Sequence, residues 1–164
     1  MTSDTDRIEK QALLHAPLER VWRAISDARE FGSWFGMRLD GPFVAGARVG
    51  GEIVPTTVDP DVAAAQKPYE GQRFDIMVER VEPMRLLSFR WHPGVPEPGA
   101  DLSSEPTTLV VFELEERPDG TLLTITESGF DGIPLARRAE SLEGNAEGWE
   151  AQLMLIGKYL AHTA

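Results

Sequence analysis

The run "TTLVVFELEERPDGTLLTITESGF", residues 107–130, limits the fold of this chain more than any other stretch. Apolar and polar residues alternate on both sides of Arg117–Pro118–Asp119–Gly120, and Asp-Gly between alternating runs is a strong signal for a tight hairpin. Two long antiparallel strands are therefore expected, with Val110, Phe112 and Leu114 on one inner face and Leu123, Ile125 and Glu127 on the next. Glu127 is the anomaly. It is a carboxylate on the face that two apolar residues direct toward the core.

The flanking segments extend the pattern. "RIEKQALLHAP" reads as a first strand that stops at Pro17. In "PLERVWRAISDAREFGSWF" the period changes: Leu18, Val21, Trp22 and Ile25 recur at helical spacing, and Asp27 suits the N-cap of a second short helix carrying Phe31, Trp34 and Phe35. A strand is expected around residues 48–56, and "VDPDVAAAQKPYEG" reads as a long loop. "QRFDIMVERVEP" and "RLLSFRWHP" read as two strands, placing Phe74, Ile76 and Val78, then Leu87, Phe89 and Trp91, on the inner face. The opposite faces carry Asp75, Glu79, Ser88, Arg90, Glu113, Thr124 and Thr126, which suits solvent. "GVPEPGADLSSEP" is a second loop.

The last third is helical. Leu135, Ala139 and Leu142 form one apolar series, and Trp149, Leu153, Ile156, Tyr159 and Leu160 a second, with Gly144–Asn145, Gly148 and Gly157 expected to interrupt or weaken the run. Strand, two short helices, five or six strands and a long C-terminal helix give an α+β class. With 164 residues, no repeat and no linker, residues 1–164 form a single domain on this reading.

Composition excludes several functions. The formal charge of −11 opposes nucleic acid and anionic membranes, since the nearest basic cluster, Arg137–Arg138, runs straight into Glu140 and Glu143. No apolar run is long enough to span a bilayer, and "MTSDTDRIEK" lacks the pattern of a secretory signal. The absence of cysteine excludes disulfides and thiolate chemistry and fits a cytoplasmic protein. His15, His92 and His162 lie far apart without ligand spacing, so no metal is expected. Neither a nucleophile elbow nor a phosphate-binding glycine loop occurs, and no cofactor is expected.

"HAPLERVWRAISDAREFGSWF", "VERVEPMRLLSFRWHP", "TTLVVFELEERPDGTLLTITESGF" and "EGWEAQLMLIGKYLA" together resemble, in order, the blocks of the homologues of the activator of heat shock protein 90 ATPase. That family lies within the SRPBCC superfamily of START, polyketide cyclase and birch-pollen-allergen-like proteins. The resemblance implies a helix-grip fold: a curved antiparallel sheet wrapped around the long C-terminal helix, with a cavity between them. It implies less about chemistry, because one fold serves lipid binding, hormone binding, cyclisation and cochaperone contacts.

On this frame the expected cavity residues are Trp34, Phe35, Phe74, Ile76, Phe89, Trp91, Phe112, Ile125, Glu127, Trp149, Leu153 and Ile156. Trp22 and Trp149 are expected to anchor the core, with Trp34 and Phe35 nearer an entrance. In many relatives the position of Glu127 is polar, often histidine or glutamate. Facing an apolar cavity, its charged form would be disfavoured and proton transfer brought within reach. The alternative is a wet strand end or an arginine pair, which the rarity of unpaired buried acids favours. The leading expectation is a binding protein for a small apolar or aromatic ligand. The alternatives are a cyclase- or dehydratase-like enzyme using Glu127, and a cochaperone-type interaction protein. Homodimerisation is common in such domains.

Overall fold

A computed structural model describes residues 7–92, 106–133 and 135–162. The elements are β1 (Arg7–Leu14), α1 (Leu18–Ser26), α2 (Ala28–Phe35), β2 (Met37–Leu39), β3 (Arg48–Ile53), α3 (Pro60–Gln66), β4 (Arg73–Glu82), β5 (Leu86–Trp91), β6 (Thr108–Arg117), β7 (Gly120–Ser128) and α4 (Leu135–His162). Seven strands form one curved antiparallel sheet in the order β1-β7-β6-β5-β4-β3-β2. The α+β helix-grip architecture expected from the sequence is present.

The hairpin at Asp119–Gly120 sets the register of the sheet centre, pairing Arg117 with Gly120, Phe112 with Ile125 and Val110 with Glu127. Alternation then aims Ile76, Val78, Leu87, Phe89, Val110, Phe112, Leu123 and Ile125 into the core, where all are buried. Asp27 caps α2 as expected, accepting from the N–H groups of Arg29 and Glu30. Trp34 lies in the core, and its indole N–H donates to Ala24 O at 2.9 Å, locking α2 to α1.

Four expectations need correction. Residues 60–66, read as loop, form α3: Asp59 caps it through the N–H groups of Asp61 and Val62, and Pro60 occupies the first turn. The six strands that follow α2 agree with the expected five or six, although the three-residue β2 is too short to show a period. α4 is continuous over 28 residues, so its glycines weaken the helix without breaking it. Ser88 is buried, flanked across the sheet by the longer side chains of Arg80 and Val111. Ala139 is exposed, and the proline-rich stretch 93–105 lies outside the described residues.

Gly120 is required by the turn. It has φ +152°, and a Cβ there would lie 2.1 Å from the carbonyl oxygen of Leu14. Gly120→Ala should destabilise the fold by about 1–3 kcal/mol, read as a lower urea midpoint with an unchanged slope.

Candidate functional site: an aromatic-walled cavity

A cavity of about 340 Å³ opens between the C-terminal end of α2, strands β2–β5, α3 and one face of α4. Its apolar wall is Phe35, Met37, Ile53, Phe74, Trp91 and Trp149. Trp91 from β5 and Trp149 from α4 stack with ring centroids 5.5 Å apart and planes 24° apart. Phe35 meets both edge-on, at 6.0 Å and 5.9 Å. Three elements distant in sequence thus converge in one aromatic corner.

The polar groups at the cavity are mostly engaged in holding its walls. Gln66 and Gln152 each donate from Nε2 to Phe35 O at 3.1 Å, tying α3 and α4 to the C-terminal end of α2. Gln66 Oε1 in turn accepts from Thr56 N at 2.8 Å. Gln152 Oε1 is buried without a hydrogen-bond partner. His92 lines the rim, with Nδ1 3.4 Å from Pro106 O. Gly144 and Gly148, one turn apart on α4, also line the cavity, and a Cβ at either would meet nothing within 4 Å.

Behind the aromatic corner lies Glu127, with none of its surface exposed. Its Oε2 accepts from Trp91 Nε1 at 2.9 Å and Thr108 Oγ1 at 2.5 Å. Its Oε1 accepts from Asn145 Nδ2 and Trp149 Nε1, both at 2.8 Å. Asn145 and Trp149 share a helix face at i, i+4, and Thr108 stands opposite Trp91 in the β5–β6 pairing. The carboxylate is neither at a wet strand end nor paired with an arginine. Four neutral donors from three other elements surround it.

The expected cavity residues therefore divide. Phe35, Phe74, Trp91 and Trp149 line the cavity. Trp34, Ile76, Phe89, Phe112, Ile125 and Ile156 are fully buried core residues, and Leu153 is half-buried against that core. Glu127 accepts hydrogen bonds from three lining residues, Trp91, Asn145 and Trp149, without lining the cavity itself. Sequence reading missed Met37, Ile53, Gln66, Asn145 and Gln152, and the two glycines of α4, read as helix weakeners, gave the only available hint.

The model of the family "Activator of Hsp90 ATPase homolog 1-like protein" matches residues 15–161. The chain belongs to that family. No curated protein matches the sequence. Among solved structures it is similar to DynU16, a putative protein in the dynemicin biosynthetic locus, at 27% identity and TM-score 0.67. That match covers 95% of this chain and 47% of DynU16, so the chain spans about half the length of that relative. Protein MLL2253 from Mesorhizobium loti shares the fold at 24% identity and TM-score 0.69, covering 96% of this chain and 98% of the other. A protein from Arthrobacter aurescens does so at 20% identity and TM-score 0.74, covering 99% and 91%. Among the described residues no helix is long and apolar enough to cross a membrane, and no cluster of three or more metal-ligating side chains occurs.

α3 is held against α4 by Asp59, which accepts from Lys158 Nζ as well as from its own helix. The Lys158 hydrogen bond, followed by the Val62 N–H, holds the Asp59 carboxyl below its ordinary value of 3.8. A lowered folded-state value stabilises the fold above that pH, and the contribution is lost as pH falls below it. The Tm difference between wild type and Asp59→Asn should therefore be constant near neutrality and shrink in titrations below about pH 4.

Proposed function

We propose that the protein binds a small apolar or aromatic molecule in the cavity bounded by α2, α3, α4 and strands β2–β5. The observation that carries this reading is the aromatic corner of Phe35, Trp91 and Trp149, which presents apolar surface to a concave space whose other side carries polar residues, among them Gln72, Arg73, Asp75 and His92. That combination is the usual form of a small-molecule site. The likeness to DynU16, whose locus is biosynthetic, favours a small molecule over a chaperone as the partner.

Gly144 and Gly148 support the same reading. Each costs a helix interior about 1 kcal/mol relative to alanine, and neither makes room for a neighbouring element. Their effect is to keep the α4 side of the cavity open. Turnover with Glu127 as acid or base is less well supported, because both oxygens are engaged and the side chain does not reach the cavity surface.

The test uses 1-aminoanthracene and 1-dodecanol as probes. A bound probe at about 100 times its Kd should stabilise the protein by about 2.7 kcal/mol, a rise in Tm of several degrees. Gly148→Leu, which projects a side chain into open space at the rim, should abolish that rise while leaving the ligand-free Tm equal or higher. Failure of both probes to shift Tm, with native mass spectra of the purified protein also free of bound species, would refute the reading.

A further inference from the structure

We propose that Glu127 is a positioning residue that fixes the ring planes of Trp91 and Trp149, and thereby makes the cavity selective for flat aromatic ligands over flexible apolar chains. This rests on the reading of the cavity as a ligand site.

The geometry runs from the carboxylate outward. An indole has one polar atom, its N–H, which can only donate. A tryptophan anchored through that atom to a rigid acceptor keeps little freedom to turn about its ring axis. Trp91 and Trp149 are anchored in this way to opposite oxygens of the same carboxylate, at 2.9 Å and 2.8 Å. Thr108 and Asn145 occupy the remaining acceptor directions, one on each oxygen, so the carboxylate itself cannot swing. The result is a nearly parallel indole pair whose N–H groups face inward, away from any ligand. The wall offered to the cavity is then ring surface without a hydrogen-bond donor. A planar aromatic ligand gains from such a wall by stacking or edge-on contact, which depends on ring orientation. A flexible alkyl chain gains only by burying area, which hardly depends on it.

A merely structural Glu127 would make the same hydrogen bonds, so the test must read ring orientation and selectivity separately from stability. In Glu127→Gln the side chain keeps its shape but one acceptor oxygen becomes an NH2 group. Thr108 by its hydroxyl and Asn145 by turning its amide can each accept from that group, whereas the indoles only donate. The tryptophan that faces the amide nitrogen, Trp91 at the Oε2 position or Trp149 at the Oε1 position, should therefore lose its acceptor. Three results are expected. One of the two indole N–H groups should exchange with solvent faster than in wild type, while the other stays protected. The far-ultraviolet exciton couplet of the stacked indoles should diminish. The affinity for 1-aminoanthracene should fall by about tenfold and that for 1-dodecanol by less than about twofold.

An unchanged couplet with unchanged indole exchange would overturn the positioning role. Equal weakening of both probes would overturn the selectivity. Binding of neither probe by the wild type would instead sink the ligand reading and the selectivity with it, while exchange and circular dichroism still decide the ring locking. Should Glu127→Gln fail to fold, Thr108→Val removes one donor from Oε2 and should shift selectivity in the same direction. In the wild-type protein, rapid exchange of both indole N–H groups would by itself refute the anchoring.

Discussion

A carboxylate with no exposed surface, accepting from β5, β6 and α4 while standing on β7, is the interaction on which the rest of the site depends. Removing a carboxylate from water is costly unless hydrogen bonds replace those it loses, and charge-assisted bonds are the ones strong enough to do so. Four donors meet that requirement without a cation. The consequence is geometric. A hydrophobic contact between sheet and helix tolerates sliding, whereas hydrogen bonds to two oxygens fix where α4 sits over the sheet at residues 145 and 149.

The other end of α4's contact with the cavity is fixed by a second polar device. The carbonyl of Phe35, at the C-terminal end of α2, would lack a helical partner, and it accepts from both Gln66 and Gln152. Gly36 follows with φ +101°, a left-handed conformation that favours glycine, and a Cβ there would displace the Gln66 amide, whose Nε2 lies 2.4 Å from its position. Lys158 and Asp59 close the same group of elements further along α4. Cavity walls carried by α2, α3 and α4 are thus tied to one another by side-chain to backbone and side-chain to side-chain bonds. The apolar faces can then be left open toward the space between them.

Much of the fold was legible in the chain because its signals are local. The Asp119–Gly120 turn, the period-2 faces of β4 to β7 and the Asp27 cap each depend on residues within a few positions. The Asp59–Pro60 cap signal was local too, but polar residues and Pro68 around a short alanine run masked it. The site was less legible. Residues 91, 108, 127, 145 and 149 meet only after the sheet has been assembled and α4 laid across it, and no spacing in the sequence encodes that meeting. Alternation placed Glu127 on the inner face, which is why it stood out, but alternation has no access to what lies opposite. The frequency argument, that unpaired acids are seldom buried, pointed to water or arginine. It failed because tryptophan is counted among core hydrophobes, and its N–H is overlooked as a donor.

A different oversight explains why so many expected cavity residues proved to be core. Facing inward and facing the cavity are different properties in a curved sheet. At the β5–β7 centre the inner face is filled by Phe89, Phe112 and Ile125 together with Phe31, which packs 5.9 Å from Phe112. Space opens toward β2–β4, where Gly51 on β3 leaves room for Phe74, and where α4 presents Gly144 and Gly148 in place of side chains. Small residues on one helix and one strand, set against large rings on the neighbouring elements, decide where the interior is solid and where it is hollow. The buried carboxylate sits at the boundary between the two. From there it can hold rings that belong to both.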